Sequence, residues 1–405
     1  MRSRLPRGRF PGLIAVAAAG VLAVTVLAGY PVRSSLPEAD ARPAGQETRP
    51  PARIDRPRIM ILGDSLTQGS SGDVTWRHDL WRHLRGSDAD LVGPHTGLYD
   101  NVTGRDGSPA YAAPDFDRAH LAGWDAGLIG QVNQVGRHVV RYRPHYLLVL
   151  GGRDDLIRGV GHRAVLERLR DLVIAARVAR ADLRFVLGRL PRSLLNGQAR
   201  GTVTEIASFN AALPALAAEL SVPESPVTVA RADRGFSPTA DTWDGAHANR
   251  RGEMKIAASF ADALADGYAL GRPYPRPLRK VELGPRRAPV PAARPLPGGT
   301  ALRWAAVPGA TGYWVWMRAP GGDLVRLNGP VVFDHTEVTG IAGGVTYEFR
   351  IQPVKGQDSG ARSAGVTVRT APVPAARSLP EAEFGDLGVR CRARGLGGGR
   401  ACARR

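Results

Sequence analysis

The stretch RIMILGDSLTQGSSGD, residues 58–73, carries an apolar run, Ile59, Met60, Ile61 and Leu62, that stops at Gly63, Asp64 and Ser65. A serine directly after a strand can attack a carbonyl carbon under three conditions. A base must lie within hydrogen-bond reach, a further group must orient that base, and N–H donors must meet the developing oxyanion. The chain contains no G-x-S-x-G, so the strained strand-to-helix elbow of one large class of serine enzymes is absent. Nine histidines compete for the role of base. His78 and His83 fall on a helical pattern, His138 and His145 flank arginines, and His162 and His335 sit in loops, where surface or satisfied polar packing is expected. His247 differs, because it ends the run Asp244-Gly245-Ala246-His247 after the last strand and ahead of the last helix. An Asp and a His three apart on a tight turn set carboxylate beside imidazole, which fixes the tautomer and leaves the other ring nitrogen free to take a proton. Alone, the same spacing fits an aspartate that caps a turn beside a solvated histidine. Asn249 is placed to cap the helix that follows.

The elements that must position these residues alternate along residues 58–270. Short continuous apolar runs at 59–62, 145–150, 183–187 and 227–230 suit strands buried on both faces of a parallel sheet. Between them lie stripes at helical spacing: Trp76, Leu80, Trp81, Leu84; then Ile129, Val132, Val135, Val139, Val140; then Val165, Leu169, Leu172, Val173, Ala176. Ile206, Phe209, Leu213, Leu216 and Leu220 make a fourth, and Ile256, Phe260, Ala261 and Leu264 a fifth. The alternation predicts a doubly wound α/β domain, with functional side chains just beyond the carboxyl ends of the strands.

The rest of the chain is organised differently. Arg2, Arg4, Arg7 and Arg9 precede an uncharged run rich in Ala, Val and Leu, so residues 1–32 read as an export signal, or as an uncleaved anchor of barely spanning length. Either way the bulk of the protein is expected outside the cytoplasm, secreted or at the cell surface. Residues 33–57 read as a linker, and residues 271–297, dense in Pro and Arg, as a second one. Within 298–371, short strands at near-regular spacing around 302–304, 313–317, 347–351 and 366–368 predict a small all-β sandwich. Residues 372–405 form an Arg- and Gly-rich tail. It holds both cysteines, Cys391 and Cys402, which an oxidising compartment would allow to close a local loop but which match no metal-site spacing.

Composition narrows the classes. At 405 residues with 43% hydrophobic residues, the chain can build more than one core. The net charge of +18 is almost wholly arginine, with Lys255, Lys280 and Lys355 the only lysines. No zinc-finger, RNP or helix-turn-helix pattern accompanies it, so no specific nucleic-acid partner is expected.

Together, G-D-S-L after the first strand and D-G-x-H-x-N-x-x-G before the last helix resemble the first and last blocks of the SGNH, or GDSL, hydrolases. Asp90-Leu91-Val92-Gly93-Pro94 is similar to that family's second strand, and the strand ending in Gly151-Gly152-Arg153-Asp154 falls where the family has G-x-N-D. Residues 69–81 (GSSGDVTWRHDLW) and 114–120 (PDFDRAH) resemble exported actinobacterial members that carry a fibronectin-like domain. Residues 298–371 resemble a fibronectin type III domain, with Trp304 and Tyr313 in the core and Gly344-Val345-Thr346-Tyr347 as its tyrosine corner. The resemblance implies a flavodoxin-like three-layer α/β/α fold and a serine esterase. In it Ser65 is nucleophile, His247 general base and Asp244 the orienting carboxylate, with no metal or organic cofactor. It further implies oxyanion donors from the Ser65 N–H, the N–H of Gly123 (or Gly127), and a side chain at position 153. Arg153 stands there in place of the family's asparagine: a longer, permanently charged fork instead of a neutral amide. Arg153 either curls in as a substitute donor or pairs with Asp154 or Asp155 and leaves the hole one donor short. The implied substrate is an ester, with acyl groups on extracellular polysaccharide or lipid as the candidates. A cell-surface scaffold with weakened catalysis and an acyltransferase on the same triad are the alternatives, and the ligand of the sandwich is not legible.

Overall fold

The computed structural model describes residues 54–194 and 199–373. The expected signal or anchor, most of the first linker and the tail with Cys391 and Cys402 lie outside the described residues. The first part runs β1 (Arg58–Gly63), α1 (Ser65–Gln68), α2 (Trp76–Leu84), β2 (Asp90–Val92), a hairpin of β3 (Leu98–Asp100) and β4 (Arg105–Ser108), and β5 (Leu121–Ala122). It continues with α3 (Leu128–Tyr142), β6 (Tyr146–Leu150), α4 (Arg153–Ile157), α5 (His162–Ala179), β7 (Arg184–Gly188) and α6 (Ala199–Leu220). It ends with β8 (Val227–Ala230), α7 (Pro238–Asp241) and α8 (Arg250–Tyr268).

The strands form one parallel sheet in the order β2-β1-β6-β7-β8, with the two-residue β5 pairing β1 beyond the end of β2. Every residue of β6 and β7 is buried, which requires helices on both faces. Helix α2 packs on α8, while α3 packs on α5 and α5 on α6. The apolar stripes at helical spacing fall on α2, α3, α5, α6 and α8, and their inward residues fill one core with the strands. The strand order reverses between β1 and β6, the crevice where α/β folds place ligands. Ser65 follows one of these strands and Arg153 the other.

The second part is a β-sandwich. One sheet has the order β13 (His335–Thr339), β10 (Gly299–Arg303), β9 (Ala292–Leu296). The other has the order β12 (Leu324–Arg326), β11 (Gly312–Arg318), β14 (Thr346–Lys355), β15 (Asp358–Ser359), with β16 (Val366–Arg369) also on β14. Trp304 meets Tyr313 edge to face at 5.2 Å inside a separate core. The Tyr347 hydroxyl accepts the Ala342 N–H at 3.1 Å, the backward bond that defines a tyrosine corner.

One expectation needs correction. The segment read as a linker over 271–297 contains β9, and its earlier residues are packed: Tyr274 N–H donates to Asp262 at 2.6 Å and its ring lies on His83. Proline-rich backbone has few N–H groups to satisfy, so it can run along a surface in extended form and still pack its side chains.

Candidate active site

Asp64 joins the ends of β1 and β6. One carboxylate oxygen caps α1 by accepting the Leu66 N–H at 3.1 Å, and the other accepts the Arg153 N–H at 3.1 Å. Thr67 Oγ1 adds a bond to the Leu150 carbonyl at 3.0 Å. The two loops that leave the switch point are thereby held against each other. Asp64 is fully buried; desolvation first, and the neighbouring Asp154 charge second, push its pKa up to about 7.

Ser65 opens α1 and is 2% exposed. Its N–H lies at the start of the helix, where no intrahelical acceptor exists, and it donates to no acceptor among the described residues. Arg153, 1% exposed, folds over the serine. Its Nη2 donates to Ser65 Oγ at 2.6 Å and to Asp154 Oδ1 at 3.1 Å, while Nη1 donates to the Ala246 carbonyl at 2.7 Å. Its Nε is buried without a partner among the described residues. The guanidinium thus lies on the serine and pairs with Asp154 at the same time.

The His247 loop is built around Asp244. Oδ1 accepts the N–H groups of Ala246 and His247 at 3.0 and 2.7 Å, and Oδ2 sits 2.7 Å from His247 Nδ1. Gly245 between them has φ of +92°, a value that glycine alone adopts without strain. Burial raises the Asp244 carboxyl, but the bonds from the His247 ring and the two amides outweigh it, and its pKa lies below the ordinary value. The Asp244 contact assigns the proton to Nδ1 and leaves Nε2 as the acceptor. Asn249 caps α8 by accepting from Arg251 and Gly252.

Sequence reasoning missed what stacks on the imidazole. His247 stacks on Trp124, at 4.4 Å, and on Trp243, at 5.5 Å, and Tyr99 stacks on Trp124 at 4.3 Å. The backbone N–H of Trp124 donates to Gln68 Oε1. The tryptophan faces suit a ring that becomes cationic when it takes a proton. The available signal was position alone: Trp124 follows Gly123 and Trp243 precedes Asp244.

Ser65, Asp244, His247 and Arg153 gather at the carboxyl edge of the sheet. Among the described residues, however, Ser65 Oγ bonds Arg153 and, at 3.4 Å, Asp154, and no bond joins it to His247. The Gly123 N–H donates to the Gly63 carbonyl at 3.3 Å, extending the β5–β1 pairing. Gly127 is the N-cap of α3. Both glycines line a cleft of about 560 Å³ with Leu121, Ile129 and Arg158, and Ser65 is not part of its wall. His120 is a satisfied core histidine, bonded through both ring nitrogens to Gly97 O and the Ala122 N–H. Among the described residues no cluster of His, Cys, Asp or Glu would hold a metal ion.

No protein-family model and no curated protein sequence matches the chain. Solved structures do. An acetyl esterase variant crystallised with acetate ion is 21% identical, with 52% of this chain and 97% of that one covered at a TM-score of 0.45. A carbohydrate esterase family 3 protein from Talaromyces cellulolyticus is 22% identical, with 52% and 97% covered at a TM-score of 0.43. The FN1-FN3 domains of chicken CNTN1 are 15% identical, with 22% and 32% covered at a TM-score of 0.20.

Proposed function

We propose that the protein is an exported serine carboxylic-ester hydrolase of the SGNH type, in which Arg153 takes the place of the oxyanion asparagine. The observation that carries the reading is the span of one guanidinium. Arg153 bonds Ser65 Oγ on one side and the Ala246 carbonyl, next to His247, on the other. The nucleophile, the loop of the base and a fixed positive charge are thus within one side chain's width.

The chemistry follows from these groups. Ser65 Oγ attacks the ester carbonyl as its proton passes to His247 Nε2, and the imidazolium is held by Asp244. Negative charge gathers on the former carbonyl oxygen, where Arg153 Nη2 and the Ser65 N–H are the donors. Collapse breaks the bond to the alkoxy group, which leaves with the His247 proton. Water, deprotonated by His247, then releases the acid from the acyl-enzyme. A serine as enclosed as Ser65 favours a short acyl group, and acyl groups on extracellular polysaccharide or lipid are the candidate substrates. Export rests on the basic head and apolar run of residues 1–32.

A second reading has its own observation. Ser65 Oγ is bonded to Arg153 and Asp154 and not to His247, which fits a cell-surface binding or scaffolding protein with weakened catalysis. Purified protein assayed on p-nitrophenyl acetate and longer esters, beside Ser65→Ala, separates the two. Turnover and labelling by a serine-reactive phosphonate, both lost in Ser65→Ala, support the enzyme; turnover no higher than in Ser65→Ala, with no label, removes it.

A further inference from the structure

The sandwich meets the loops of the candidate site at Pro308 and Gly309, which lie against Ser71 and Gly72, and at the turn between β14 and β15. Lys355, 5% exposed, donates from Nζ to Ser70 Oγ at 2.7 Å, Ser71 O at 2.9 Å and Asp73 Oδ1 at 2.6 Å. These acceptors lie on the loop that leaves the Ser65 helix. An ammonium has three donors, and each is met here, one by a carboxylate, which is the condition for burying such a charge. Two residues on, the Gln357 N–H donates to Trp243 O at 2.8 Å. Its side-chain amide donates to Thr242 O at 2.7 Å and Thr239 O at 2.9 Å. Gly356 lies so close to the same loop that a Cβ would stand 1.9 Å from Trp243 O. The Trp243 ring lies 5.3 Å from Lys355 Nζ and stacks on His247. Lys355 thus grips the serine loop and Gln357 the histidine loop.

We infer that the β14–β15 turn is part of the catalytic centre, with Lys355 and Gln357 as positioning residues that set the Ser65 and His247 loops relative to each other through Asp73 and Trp243. The kinetic consequence rests on the esterase reading; the geometric one does not.

The test compares full-length wild type with Lys355→Met, Lys355→Arg, Gln357→Ala and Arg326→Ala. Arg326 lies on β12, at the other edge of the same sheet, with its guanidinium on Trp314. Steady-state kinetics on p-nitrophenyl acetate, NMR of the His247 ring protons (assigned with His247→Asn) and thermal unfolding are read together. Lys355→Met and Gln357→Ala should lower kcat roughly tenfold to a hundredfold with KM within about twofold. They should also move the His247 resonances while unfolding cooperatively. Lys355→Arg should recover part of the kcat, and Arg326→Ala should change neither readout. Folded variants with wild-type kcat and unmoved His247 resonances overturn the inference. Should Lys355→Met fail to fold, the exposed Gln357→Ala decides. Should wild type hydrolyse no ester, the esterase reading fails by itself. The His247 resonances then decide the positioning role: movement in Gln357→Ala supports it, and none overturns it.

Discussion

Arg153 Nη2 lies 2.6 Å from Ser65 Oγ, so the strongest donor in the site is already on the atom proposed to attack. A guanidinium there stabilises negative charge on the serine and on the oxyanion formed beside it. Removing one such donor typically costs about a hundred- to a thousandfold in rate. Arg153→Ala should fall in that range in kcat with a smaller change in KM. Arg153→Asn should recover part of the loss; an Arg153→Asn protein faster than wild type would favour the weakened-fold reading.

Asp244 holds the His247 ring and both amides of its turn with one carboxylate. Asp244→Asn offers an amide donor where the ring needs an acceptor, and it disfavours the Nδ1–H tautomer. Turnover should drop by about 10⁴-fold, while circular dichroism keeps the wild-type helix signal.

Trp124 and Trp243 both stack on the His247 ring. Trp124→Ala frees the ring to turn about its Asp244 bond, and kcat should fall roughly tenfold, since small misplacements of a reacting group are costly. Trp124→Phe keeps a stacking face and should fall much less. Steady-state kinetics on one short ester checks both.

Asp64 supplies a pH dependence of stability whose sign can be worked out. Its folded pKa is raised to about 7 from an ordinary 3.8, so between those values the native state keeps a proton that the unfolded chain has lost. Its contribution is fully present below the unfolded pKa and fades as pH rises through the folded one. Melting temperatures of wild type and Asp64→Asn, measured from pH 4 to pH 8, should show the wild type losing ground to the variant as pH rises. A constant difference across that range would contradict the assignment.

The sequence neighbourhoods of the candidate residues were readable because each is local: an apolar run ending at Ser65, and Asp244 and His247 within one turn. Arg153 was legible as a departure from a pattern, but its direction was not, since a long side chain chooses among partners that only the fold brings near. The strand pairing of Gly123 was hidden for the complementary reason. A glycine beside a short strand looks free for a ligand, and the pairing that uses its amide is made by β1, far away in sequence. The stacking of Trp124 and Trp243 on His247 joins two loops across the sheet edge, so no periodicity encodes it. Residues 292–296 lack alternation, and β9 is a strand only because β10 pairs with it.

The contact of Gly356 with Trp243 also bears on the order of synthesis. A ribosome finishes the whole α/β part, with Ser65, Arg153 and His247 all present, well before Lys355 and Gln357 emerge. Until that turn arrives, Asp73 lacks its ammonium partner and the Trp243 carbonyl its donor. The nascent chain therefore holds every reacting group of the proposed centre while two loops still await their clamp, which would keep the chemistry slow until the β14–β15 turn has docked.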